Sequence, residues 1–111
     1  MYLTVRERLL LVGILPAQGD ILTMRTTDDL RRSLIFSEEE EDELELKVDG
    51  NRYVWNEKKA FEKNIAISAK GVSLIIMALT ALDKEEKLTW EHISLWDKFF
   101  PDDGKSDAAP E

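Results

Sequence analysis

The chain has no cysteine and only one histidine among its 111 residues. Without thiols it can hold neither a disulfide scaffold nor a thiolate metal site, which favours a reducing, cytoplasmic setting. The lack of a second histidine excludes the usual zinc sites, and a nucleophile–histidine–acid arrangement would have to use His92. We expect His92 to flank a packed helical face. These absences predict a protein that is not an enzyme.

Glycine and long apolar runs are also scarce. The five glycines are scattered, so no phosphate-cradling loop is present. Neither the acidic segment nor DGNRYVWNE nor DDGKSDAAPE has the ligand spacing of a calcium loop. We therefore expect no cofactor and no metal. No apolar run approaches the roughly 20 residues that a membrane span requires, so no membrane association is expected.

Acidic residues are what the chain has in excess. It contains 23 acidic and 15 basic residues, with a net charge of −8. The average surface repels a phosphate backbone, and no basic cluster exceeds pairs such as Arg31-Arg32 and Lys58-Lys59. Direct nucleic-acid binding is thus disfavoured. The apolar fraction of 43% is that of an ordinary globular core.

Two short helices are predicted at the start of the chain. Thr4-x-x-Glu7 is a capping box, and Pro16 ends the helix that it opens. Asp20 or Thr23 can cap a second helix that runs to about Leu34. The buried faces are expected to hold Val5, Leu9 and Val12 in the first helix, and Met24, Thr27, Leu30 and Leu34 in the second.

The middle of the chain predicts a short acidic helix and then strands. Ser37-x-x-Glu40 is a second capping box. Alternating residues on both sides of Asp49-Gly50 predict a hairpin of about 44–48 and 52–56. Residues 57–67 fit a helix or a strand, and we favour a third strand at 64–67 beside the hairpin.

Two further helices follow. Ser68 caps a helix from Ala69 to about Lys84 that is apolar on most sides, as a central helix would be. Thr89 caps a last helix, ended by Pro101. Its predicted core face consists of Trp90, Ile93, Trp96 and Phe100, which recur at helical spacing beside Leu95 and Phe99.

These patterns define the predicted fold class as α+β. We expect a small single domain over residues 1–101, with about four to five helices and a β-hairpin or a small three-stranded antiparallel sheet. Residues 102–111 are expected to form a mobile polar tail.

Three segments, LTVRERLLLVGILP, LRRSLIFSEEE and ALDKEEKLTWEHISLWDKF, resemble those of small phage and prophage proteins of about this length. They are capping and packing patterns, so the resemblance implies no catalytic residue and no particular activity. It implies a virus-encoded, compact protein of the host cytoplasm that works by contact.

The leading functional hypothesis is that this protein binds a protein partner with a basic surface, such as a nucleic-acid-handling enzyme of the host. A dense array of carboxylates can mimic the negative charge of a phosphate backbone and occupy the nucleic-acid channel of such an enzyme. A solvated helix start, favoured by the helix dipole, explains Glu38 to Glu41 without any partner, but it does not explain the whole acidic segment. The candidate partner-binding residues are Glu38, Glu39, Glu40, Glu41, Asp42, Glu43 and Glu45.

Two other hypotheses remain open. One is a viral structural or assembly protein that binds itself or a larger viral complex through an apolar helix face or through its Trp90/Trp96/Phe99 end, whereas the simpler and favoured interpretation places all of these residues in its own core. That face consists of Leu74, Met77, Ala78 and Ala81. The other is a helix-turn-helix-like DNA-binding regulator, which the acidic helix disfavours. Its contacts would come from Arg25, Arg31, Arg32 and Arg52.

Overall fold

A computed structural model describes residues 1–100, and within them the chain forms five α-helices and two small antiparallel sheets, a small α+β domain as predicted. The expected tail at 102–111 lies outside the described residues. The helices are α1 (Val5–Ile14), α2 (Ile21–Leu34), α3 (Glu38–Leu44), α4 (Ala69–Lys84) and α5 (Ile93–Phe99). The strands are β1 (Tyr2–Leu3), β2 (Lys47–Asp49), β3 (Arg52–Val54) and β4 (Lys63–Asn64), with 3-10 turns at 57–59 and 90–92.

The starts of α1 to α4 follow the predicted caps, whereas α5 begins at Ile93, after the 3-10 turn that Thr89 precedes. Thr4 Oγ1 accepts the backbone N–H of Glu7 at 3.1 Å, and the Glu7 carboxylate accepts that of Thr4 at 2.9 Å. Ser37 and Glu40 form the same reciprocal pair at the start of α3. Asp20 and Ser68 cap α2 and α4 by single side-chain bonds. Each bond satisfies a backbone donor that a helix N-terminus leaves unpaired.

The core lies around α4, which contacts α1, α2 and α5. Gly71 lets α2 approach closely, because a Cβ atom there would lie 3.0 Å from the side chains of Leu30 and Ile67. The buried cluster consists of Leu3, Leu11, Leu30, Leu34, Ile65, Ile75, Leu79, Leu95 and Phe99.

The hairpin is present and shorter than predicted. β2 and β3 pair with Asp49 opposite Arg52, and Gly50 in the turn has a φ of +66°, a conformation that glycine adopts without strain. All side chains of both strands are exposed. The hairpin therefore contributes little to the core.

The expected third strand beside the hairpin is wrong. β4 pairs instead with β1, with Tyr2 opposite Asn64 and Leu3 opposite Lys63. The neighbouring Ile65 donates its N–H to Met1 O at 2.8 Å and is buried. Pairing with β1 buries Leu3 and Ile65 together, whereas the exposed hairpin offers no core position to fill.

The predicted core face of the last helix is only partly correct, since Trp96 and Phe100 pack against the core but Trp90 and Ile93 do not. Leu95 and Phe99 are buried, whereas Trp90 is 71% exposed and Ile93 is also exposed. Trp96 is half-buried and stacks on Phe100, with ring centroids 4.1 Å apart. Residues 90–92 form a 3-10 turn with about three residues per turn, so Trp90 does not share the phase of the α-helix that follows.

Candidate functional site

A buried ion pair holds the acidic helix α3 to the rest of the molecule. Arg8 of α1 is only 1% exposed, and its Nη1 atom donates to Glu40 Oε2 at 2.9 Å. Its Nε and Nη2 atoms donate to the backbone oxygens of Leu34 and Ile35 at 3.1 and 2.9 Å. The guanidinium lies 3.8 Å from the ring centroid of Phe36. Arg8 thus joins α1, the C-terminal end of α2 and the N-terminal end of α3.

The environment of Glu40 keeps it charged. Burial raises the pKa of this carboxyl, but the hydrogen bonds from Arg8 and from the Ser37 N–H and the charges of Arg8 and Lys63 together lower it to about 2. Its side chain is 12% exposed. The expectation that Glu40 forms part of a partner-binding surface is therefore wrong, because its carboxylate is already bound inside the protein.

The other five acids of α3 are exposed and are spread around the rest of the helix circumference. Glu40 and Leu44, one turn apart, face the core. The five exposed residues are Glu38, Glu39, Glu41, Asp42 and Glu43, and we call them the acidic face. None of these carboxylates pairs with a cation within residues 1–100.

Glu45 is set apart from the acidic face. It follows the helix in a left-handed conformation with a φ of 57°, and its carboxylate accepts a hydrogen bond from Lys59 Nζ at 3.0 Å. The structure thus brings together five of the seven predicted acidic residues, and it gives Glu40 and Glu45 partners of their own.

The charge density of the acidic face is close to that of a nucleic acid. A helix of seven residues is about 10 Å long, so five carboxylates give about one charge per 2 Å. Duplex DNA carries about one charge per 1.7 Å of axis. A short stretch of duplex and the acidic face would therefore present a similar charge per unit length to a cationic groove.

The four apolar residues predicted for self-association also lie together. Leu74, Met77, Ala78 and Ala81 line a groove of about 510 Å³, which we call the α4 groove, between α4, the end of α1 and the start of α2. Met77 is 68% exposed at its rim. A shallower depression of about 210 Å³ shares Leu74 and Met77 and continues the groove to Leu22.

The arginines proposed for DNA contact do not form a basic patch. Arg31 and Arg32 both contact Asp28, at 3.8 and 3.1 Å. Arg52 lies on the hairpin and Arg25 on α2. This arrangement offers no continuous basic surface to a duplex.

Sequence reasoning missed the buried charges. Arg8 lies three residues from both Val5 and Leu11, in the middle of the buried face of α1, and this spacing was the available signal. Glu7 is also buried and accepts a hydrogen bond from Lys98 Nζ at 2.6 Å. Burial raises the pKa of Glu7, but bonding to Lys98 and to the backbone of Thr4 lowers it further, so the carboxylate stays charged.

The single histidine has a structural role in this fold. The Nδ1 atom of His92 lies 3.0 Å from the backbone N of Thr89 and caps the turn before α5. Residues 1–100 contain no cluster of histidines and carboxylates that could hold a metal ion. No helix within that range is both long and apolar enough to cross a bilayer.

Comparisons of the chain with protein-family models, with curated proteins and with solved structures found no match.

Proposed function

We propose that this protein acts by contact, without catalysis, and that the acidic face binds the cationic groove of a nucleic-acid-handling protein in the host cytoplasm. The observation that carries the proposal is that five neighbouring carboxylates point outward without a cationic partner in the described part of the chain. Like charges so close repel one another, and a cationic partner would relieve that repulsion.

The fixed position of α3 supports this role. Glu40 is held by the buried Arg8 and by the cap at Ser37, so the helix presents its acids from a rigid base. A preorganised surface loses little conformational entropy when it binds. Long-range attraction between opposite charges also speeds the encounter with the partner.

The test compares two variants of equal net charge. In the first, the five acids of the acidic face are replaced by Gln or Asn, which changes the net charge from −8 to −3. In the matched control, five exposed acids elsewhere are replaced in the same way. The control positions are Asp29, Asp49, Glu62, Asp83 and Asp97.

Each protein is tagged and used to capture partners from a bacterial lysate at 50 mM salt. We expect the native protein and the control to retain a nucleic-acid-binding protein that duplex DNA releases, and the acidic-face variant to retain none. With the captured protein purified, affinity should fall steeply between 50 and 500 mM salt, because the screening length shortens from about 14 Å to about 4 Å. Equal capture by both variants, or capture unaffected by DNA, would contradict the proposal.

A further inference from the structure

One stripe of α4 lies along the edge of the core, and the order of its side chains is self-complementary. Lys70, Leu74, Met77, Ala81 and Glu85 are spaced by three or four residues, and with Ala78 they fall within about 100° of the helix circumference. Each of them is exposed or half-buried. From one end to the other, the stripe runs from a cation through large and then small apolar side chains to an anion.

We propose that two copies of the chain associate through this stripe, with the two α4 helices antiparallel about a two-fold axis between residues 77 and 78. Antiparallel pairing about this axis places Leu74 of one copy opposite Ala81 of the other, and Met77 opposite Ala78. The same register places Lys70 opposite Glu85. Each contact occurs twice, as in any two-fold interface.

The steric pattern supports this register over a parallel one. A large side chain opposite a small one lets two helices approach closely, whereas parallel pairing would set Met77 against Met77 and Ala81 against Ala81. Met77 of each copy would extend over the small side chains that line the α4 groove of the other.

The charges at the ends support the same register. Lys70 borders the shallower depression and Glu85 borders the α4 groove, so antiparallel helices bring opposite charges together. Glu85 also contacts Lys87 of its own chain at 3.1 Å, and both side chains are exposed, so this local pair does not occupy the carboxylate fully.

The expected association is weak. The contact is one face of a helix about 24 Å long with its rim, and we expect it to bury less than the roughly 800 Å² per partner of a standard interface. A dissociation constant in the micromolar range is therefore expected. The acidic face lies on another element, so this association does not depend on the proposed function.

The test is sedimentation equilibrium from about 10 µM to 1 mM protein, since the expected constant falls within this range. Lys70→Glu and Glu85→Lys should each weaken the dimer about fivefold or more, because each sets like charges opposite one another twice. The double variant should recover to within about threefold of the native constant, since it restores both pairs.

Met77→Glu should weaken the dimer at least about a hundredfold, because it buries a charge at the centre of the interface. Its control is Val48→Glu on the hairpin, since both native side chains are 68% exposed. Circular dichroism checks that each variant is folded.

Three results would overturn the proposal. They are a monomer at 1 mM, a dimer that Met77→Glu leaves intact, and weakening by both single charge changes without recovery in the double variant. The acidic-face variant should dimerise as the native protein does, so failure of either proposal is distinguishable from failure of the other.

Discussion

Replacing Glu40 by Gln should destabilise the protein strongly at neutral pH. The amide keeps the shape of the side chain and can still complete the capping box with Ser37, but it leaves the guanidinium of Arg8 buried without a counter-charge. A pKa lowered from 4.5 to about 2 corresponds to about 3 kcal/mol of stability at pH 7. We expect Glu40→Gln to lose most of that.

Urea denaturation followed by tryptophan fluorescence measures the loss. With a slope of about 1.5 kcal/mol per molar, the midpoint should fall by about 2 M at pH 7. Since the folded-state pKa of Glu40 is lowered, its contribution is present above pH 4.5 and is lost as the pH falls towards 2. The difference between native protein and variant should therefore shrink over that window.

Glu39→Gln is the matched control, because Glu39 is the neighbouring acid on the exposed side of the same helix. Its stability should differ from that of the native protein by less than about 0.5 kcal/mol. If Glu40→Gln were no more harmful than Glu39→Gln, or if its effect did not change with pH, the ion pair with Arg8 would not stabilise the fold as we argue.

Four other substitutions test the fold by the same denaturation assay. Lys98→Met should cost about 2–3 kcal/mol, because it leaves the buried carboxylate of Glu7 without its cation; a loss below about 1 kcal/mol would contradict that pairing. Gly50→Val should cost more than about 1 kcal/mol because φ is positive there, and unchanged stability would argue against the tight turn. Leu95→Ala should cost about 2–5 kcal/mol and Trp90→Ala less than about 1 kcal/mol, since only Leu95 is buried. The reverse order would mean that Trp90 belongs to the core face, as the sequence predicted.

Local patterns in the sequence were sufficient to locate the starts of α1 to α4. Caps at Thr4, Asp20, Ser37 and Ser68 act over three residues, so their partners are visible in the sequence itself. The turn at Gly50 is equally local. The acidic face was predictable for the same reason, because exposed carboxylates at a helix start need no distant partner.

Long-range pairings were not predictable in this way. Arg8 and Glu40 are 32 residues apart, and the residues next to each of them do not indicate that the two pair. The position of Glu40 in the capping box nevertheless indicated that it is not fully exposed. A capping-box carboxylate turns back towards the N-cap residue, here Ser37, and away from the outer face of the helix. A two-turn helix such as α5 offers too few residues for periodicity to choose between two faces.

The contact between Lys98 and the first residues has a consequence for synthesis. Lys98 Nζ donates to Tyr2 O at 2.7 Å across 96 positions of sequence, and it also binds the buried Glu7. Closing so long a loop is slow compared with forming a helical turn. A nascent chain can form α1 early, but it cannot neutralise Glu7 or bury Leu95 until α5 has left the ribosome. The core is therefore expected to close only after translation has passed α5, and the partly made chain is the form most exposed to aggregation and proteolysis.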